Sequence, residues 1–158
     1  MRWLQNYPNF LDAAYKATYG LLVALKPILH AVGFRRLESV FEAGERITKG
    51  AIFNCQMCGQ CILHSTGMTC PMNCPKNLRN GPCGGTRRDG HCEVIPEMMC
   101  VWVLAWERAA QMGEHGQEIH SIQPPVDRRL QDTSAWLNAL DQRDQVRPAG
   151  WVALTDIN

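Results

Sequence analysis

The stretch Cys55–Cys100, CQMCGQCILHSTGMTCPMNCPKNLRNGPCGGTRRDGHCEVIPEMMC, carries all eight cysteines of a 158-residue chain. Glycines at 59, 67, 81, 84, 85 and 90 and prolines at 71, 75 and 82 punctuate it, so turns are expected to dominate, and neither a helical nor a strand period runs through it. Large apolar side chains are few there, mainly Ile62, Leu63, Leu78, Val94 and Ile95. Such a segment stays unfolded unless something stands in for a hydrophobic core. Bound metal does so, because its binding free energy becomes folding free energy.

The spacing is C-x2-C-x2-C, then x8, C-x3-C, x8, C, x8, C, x7, C. Cys55, Cys58 and Cys61 at successive x2 intervals suit a short loop wrapped around one iron–sulfur cubane, each thiolate on its own iron, with a fourth iron left for a remote cysteine. In bacterial ferredoxins the remote ligand precedes a proline; Cys70 before Pro71 and Cys74 before Pro75 both fit, and spacing does not choose between them. Cys83, Cys92, Cys100 and the cysteine left over would form a second four-thiolate site. All eight cysteines, Cys55, Cys58, Cys61, Cys70, Cys74, Cys83, Cys92 and Cys100, are therefore candidate metal ligands, and two 4Fe-4S clusters are expected. Zinc is the rival at the second site, whose spacings match no standard cluster motif. A disulfide framework is disfavoured for a chain expected to be cytoplasmic.

Burying a negatively charged cluster requires donors or cations near its sulfurs. Gly59, Gly84 and Gly85 are candidates to bring amides close, and Lys76, Arg79, Arg87 and Arg88 to supply positive charge. His64 and His91 read as loop histidines, because eight thiols already suffice. Met57, Met68, Met72, Met98 and Met99 read as soft packing. Trp102 and Trp106, at i and i+4, read as a core or interface ridge. NGPCGGTRRDG lacks the lysine of a phosphate-binding loop. No nucleophile, base or substrate-pocket signature appears, so no catalytic residue is assigned.

Outside the window, the formal net charge of +1 gives no electrostatic case for nucleic acid. The start, MRWLQNYPNFLDAAYK, has no apolar run behind a positive end, which predicts a cytoplasmic location. Gly20–Phe34 is interrupted by Lys26, Pro27 and His30 and falls short of the roughly 20 residues of a span, so no membrane partner is expected.

Three zones follow: a helical arm over 1–50, a cysteine-rich cluster-binding domain over 51–112 ending in a helix, and an extended tail with a short helix over 113–158. The predicted fold class is mainly α, with an irregular cysteine-rich core. Within the arm, Pro27 is expected to kink or split the first helix, with two helices favoured over one. A further helix over about Arg35–Lys49 would turn Leu37, Val40, Phe41 and Ile47 inward, opposite Arg36, Glu38, Glu42 and Glu45. Another is predicted over about Pro96–Met112, carrying Cys100 and stopped by Gly113. IQPPV at 122–126 should be extended, and a short helix near Thr133–Asp141 should be capped by Asp132 or Thr133, followed by a tail from Gln142.

The run CPMNCPKNLRNGPCGGTRRDGHCEVIPEMMCVW, with CQMCGQC before it and IQPPVDRRL after it, resembles the C-terminal cysteine-rich domain associated with methylenetetrahydrofolate reductase, which also occurs as a separate MetV-type small subunit. The resemblance carries over the eight cysteines as ligands. It implies a non-catalytic iron–sulfur subunit that relays electrons between an outside donor or acceptor, a protein or indirectly a nicotinamide nucleotide, and the flavin of a separate TIM-barrel subunit that interconverts 5,10-methylene- and 5-methyltetrahydrofolate. The flavin is expected on that partner, since this chain is far shorter than the roughly 250 residues of such a barrel. The alternative is a zinc-stabilised scaffold of the same complex that carries no electrons.

Overall fold

The structure is a computed structural model that describes residues 2–146 and 149–150. Four α-helices, α1 (Pro8–Val32), α2 (Phe34–Phe53), α3 (Val101–Ala109) and α4 (Ala135–Leu140), are joined by 3-10 turns and irregular segments. Strand pairing among the described residues is confined to two isolated bridges, Thr86 with Cys92 and His91 with Met99. The fold is mainly helical around an irregular cysteine-rich segment, as the composition of that segment predicts.

Pro8 opens α1 at a position where a missing N–H is harmless. Contrary to expectation, Pro27 does not split the helix, which continues to Val32. Pro27 is exposed, so water can take the carbonyl that the proline leaves without its amide. The break comes instead at Gly33, whose φ of 93° lies in the left-handed region.

α2 runs four residues past the predicted Lys49 and ends at Asn54, also left-handed at φ 53°. Its inner face differs from the predicted one. Val40 and Ile47 are exposed, whereas Phe34, Glu45, Lys49 and Phe53 are buried. The charged pair Glu45 and Lys49, four residues apart, reads in sequence like a solvated face; its burial depends on partners far along the chain.

Two apolar clusters hold the fold. Leu22 and Leu29 of α1 and Leu37 and Phe41 of α2 pack against buried Phe34, Leu137 and Leu140. The second cluster lies within the cysteine window, where Leu63, Met68 and Met72 join Cys58, Cys70, Leu11, Phe53 and Met112. The methionines thus provide the apolar volume that the sparse aliphatic residues do not. Gly67 sits so close to α3 that a Cβ there would lie 2.4 Å from the Ala105 carbonyl oxygen and 2.6 Å from the Ala109 nitrogen.

α3 begins at Val101 rather than near Pro96, with Cys100 as its N-cap, and it ends at Ala109, ahead of Gly113. Pro96 lies instead in a turn that pairs the Cys92 amide with the Met98 carbonyl. The predicted extended tail is also corrected, because much of it is packed. A 3-10 turn over Glu114–His120 sits against the Leu63–Thr66 turn, and Leu137 and Asn138 of α4 are fully buried. The cap of α4 is Ser134, not Asp132 or Thr133; its hydroxyl accepts from the Leu137 amide at 3.2 Å. The last of the predicted tail, 151–158, lies outside the described residues. None of the described helices is long and apolar enough to cross a membrane.

Candidate metal centre

Immediately after α2 the chain coils tightly. Asn54, Met57 and Gly59 all take positive φ, at 53°, 49° and 73°. At Gly59 a Cβ would lie 2.1 Å from the Leu130 carbonyl oxygen, so only glycine lets the 128–133 segment close over the loop. The coil brings Cys55, Cys58 and Cys61 to the wall of one cavity, and Cys70 reaches the same cavity from the cap of the Pro71–Asn73 turn. The space is about 440 Å³, open mouth included. Cys74, equal to Cys70 on spacing, does not line it; its amide is tied to the Pro71 carbonyl at 3.0 Å.

Apolar walls come from Phe53, Met57, Ile62, Leu63 and Met72 among others, Glu45, Gln60 and Thr133 add polar groups, and two buried cations reach the cavity, Lys49 and Arg79. Arg79 donates through Nε to the Gln60 carbonyl at 3.2 Å and through Nη1 to the Pro124 carbonyl at 2.7 Å, which fixes it beside the loop. Burial draws its pKa below the usual guanidinium value, against the pull of the Cys58 and Cys61 sulfurs. Lys49 donates to Glu45 at 2.6 Å. For Lys49, burial works against the charge, but the Cys61 sulfur and Glu45 outweigh it and raise the pKa.

Burial pushes the Cys55 thiol up to about 11, opposed in part by the Met57 amide, which donates to its sulfur at 3.4 Å. Burial followed by the neighbouring Cys55, Cys61 and Cys58 sulfurs pushes Cys70 up to about 12, and Cys58 is raised by burial as well. These are not the depressed values of nucleophilic or redox-active cysteines. Thiols in this setting give up their protons to a cation placed among them. All eight cysteines are free, with no disulfide.

The chemistry of the donor set fits an iron–sulfur cluster: four thiols, a largely apolar wall, the Arg79 guanidinium, the Lys49–Glu45 pair, and an amide aimed at a sulfur. The sulfurs line a cavity instead of meeting at a point. Among the described residues no three His, Cys, Asp or Glu side chains converge as a single ion would require, with sulfurs about 2.3 Å from it.

The second set is gathered more loosely. Cys83, Cys92 and Cys100 lie on one small folded-back segment: Thr86 bridges to Cys92, the Cys100 amide donates to the Gly90 carbonyl at 2.9 Å, and the Thr86 hydroxyl donates to the Cys100 sulfur at 3.3 Å. The Gly85 amide is 3.3 Å from the Cys83 sulfur, an expected glycine role. Burial pushes the Cys100 thiol up, but hydrogen bonds from Thr86 and from the Val103 and Trp102 amides at the start of α3 bring it below its ordinary value. Cys83 is exposed and Cys74 half-buried.

Of the expected cations, only Arg79 serves the first site. Lys76 pairs with Glu93 near Cys83, and Arg87 and Arg88 are exposed. Lys49 and Glu45 escaped sequence reading because they are supplied by α2 from outside the window; an isolated charged pair six or more residues before Cys55 carries no signal. His64 is not a solvated loop residue but stacks on Tyr15 at 5.7 Å, with Nδ1 buried. His91 is held by Asp89, its amide donating to the carboxylate at 3.1 Å. Trp102 donates to the Leu78 carbonyl at 3.1 Å, whereas Trp106 is exposed and meets His120 edge to face.

Fold and site together define a small, mainly helical module organised around a cysteine-lined cavity. A family model described as "Methylene-tetrahydrofolate reductase C terminal" matches residues 34–129, more than half of the chain, and the protein belongs to that family. No curated protein and no solved structure matches it.

Proposed function

We propose that this chain is a non-catalytic iron–sulfur subunit of a methylenetetrahydrofolate reductase complex, passing electrons between an outside donor and the flavin of a separate catalytic subunit. The observation that carries the reading is the convergence of Cys55, Cys58, Cys61 and Cys70 on one apolar cavity beside Lys49 and Arg79. Sulfurs spread around a cavity favour a polynuclear cluster over a single zinc ion. An iron–sulfur cluster held there supplies one-electron transfer. The residues of the chain would bind it through four thiolates, set Arg79 and the Lys49–Glu45 pair beside it, and exclude water with Phe53, Met57, Leu63 and Met72. Cys74, Cys83, Cys92 and Cys100 hold the second cluster in this reading. Family membership supports the assignment to reductase chemistry.

Anaerobic purification followed by iron and acid-labile sulfide analysis tests it. About eight irons per chain, with an EPR signal that appears on reduction, is the expected result. A colourless protein containing zinc alone would refute electron transfer and leave the scaffold role. Co-purification with a flavin protein tests the partner.

A further inference from the structure

Two peptide units of the cysteine loop are gripped at both ends. The carbonyl of the Gln56–Met57 unit accepts from Gln131 Nε2 at 2.9 Å, and the N–H of the same unit donates to the Cys55 sulfur at 3.4 Å. A trans peptide is planar, with C=O and N–H pointing in opposite directions, so fixing the carbonyl outward aims the amide at the sulfur. Gln131 is itself oriented. Its Oε1 accepts from Arg128 Nη1 at 3.2 Å, and Nε2 also reaches the Met57 carbonyl at 3.2 Å, which the Asp132 amide holds at 2.8 Å.

The Gly59–Gln60 unit repeats the arrangement. Its carbonyl accepts from Nδ2 of the fully buried Asn138 at 2.9 Å, and Nδ2 also donates to Thr133 Oγ1 at 2.7 Å. At the other end of this unit, burial raises the Cys58 thiol and the Gln60 backbone works against it. A carbonyl holding the thiol proton would raise it further, so the opposing group is the Gln60 N–H.

Gln131 and Asn138 do not line the thiol cavity, and both lie beyond 129, where the family match ends. Any effect they have on a cluster bound there passes through the two peptide units they hold. N–H groups donating to cysteine sulfurs favour the more negative, reduced cluster and so raise its reduction potential.

We propose, on the iron–sulfur reading of that cavity, that Gln131 and Asn138 are positioning residues that set the first cluster's reduction potential. They do so by holding the Met57 and Gln60 amides against the Cys55 and Cys58 sulfurs.

Gln131→Met is the deciding variant, because Gln131 is half-buried and methionine keeps the length of the side chain while removing the donor without adding charge. The full chain, purified anaerobically and assayed for iron, is titrated electrochemically, each cluster taking one electron from the electrode. EPR follows the cluster whose signal Cys70→Ser removes. The expected result is unchanged iron and a reduction about tenfold less favourable, which is a potential about 59 mV lower for a one-electron couple. The coupling of an exchangeable proton to that cluster, read by ENDOR, should weaken as well. Asn138→Leu should shift the potential the same way, but it strands the buried Gly59 carbonyl, so Gln131→Met decides. An unchanged potential in a Gln131→Met protein that keeps its iron overturns the inference and leaves the iron–sulfur reading standing. Loss of iron from Gln131→Met overturns it too, since the bond then serves retention. A parent protein without iron is recognised at the assay, and there the iron–sulfur reading fails first and takes this inference with it.

Discussion

Lys49 Nζ stands 4.2 Å from the centroid of the Trp136 ring and donates to Glu45 at 2.6 Å, so one buried ammonium joins α2 to α4 at the wall of the thiol cavity. Glu45 in turn accepts from the Ser134 hydroxyl and from the Trp136 amide at 3.1 Å, and Tyr15 of α1 packs on Trp136 with ring centroids 4.6 Å apart. Lys49→Met strands the Glu45 carboxylate in the interior and should destabilise the protein by about 3–5 kcal/mol in urea titration. Adding Glu45→Gln should recover part of the loss. The Lys49→Met protein should also show a more negative cluster potential in a redox titration, because a positive charge beside the thiolates has gone.

The two Cys-Pro pairs should behave differently. Cys70→Ser removes a wall of the cavity and should take away about half the iron, four of eight per chain, along with much of the stability, since the buried Cys70 is also part of the apolar cluster. Cys74→Ser leaves the cavity intact and should spare the signal of the first cluster in EPR. Equal effects of the two on that signal would rule out the assignment of Cys70.

Glycines separate the loop from the helices. Gly59→Ala places a Cβ 2.1 Å from the Leu130 carbonyl in a backbone at φ 73°, so the 128–133 segment must move away from the cavity. A loss of about 3 kcal/mol or more, with reduced iron retention, is expected. Gly44→Ala lies inside α2 with nothing within 4 Å of the new methyl, and should stabilise the protein by about 0.5–1 kcal/mol, seen as a higher denaturation midpoint.

The window as an irregular, turn-rich segment was legible because glycine and proline density are local properties. Helices α1 and α2 were legible from period. What escaped had non-local causes. Pro27 leaves α1 whole because that face meets water, which sequence does not state. Glu45 and Lys49 go inside because Ser134 and Trp136, about ninety residues later, are there to receive them. Ser134 rather than its two neighbours caps α4 because Asp132 takes the left-handed turn, at φ 60°, and Thr133 bonds back to the Leu130 carbonyl. The choice between Cys70 and Cys74 required knowing which proline turn faces the Cys55–Cys61 loop.

The protein should lose stability in two steps as it is acidified, and the first belongs to His64. Its ring stacks on Tyr15, its Nδ1 is buried without a partner, and Nε2 lies 3.4 Å from Glu118, beside His115. Burial lowers its pKa, with Glu118 opposing and His115 reinforcing the shift. The unfolded chain therefore takes up this proton near pH 6.5 and the folded chain only at lower pH. Between those two values stability falls as pH falls. Asp12 acts lower: burial would raise its pKa, but the bonds from His115 at 2.9 Å and from Lys16 depress it, so its contribution holds above about pH 3.9 and goes as pH drops through the folded value. His64→Phe keeps a ring on Tyr15 and cannot protonate. Its denaturation midpoint should lack the decline that the parent begins as pH falls below about 6.5, and should then fall with the parent as Asp12 titrates. Parallel profiles for the two proteins across the upper window would show that His64 is protonated alike in both states, and the burial of its ring would then have no consequence for stability.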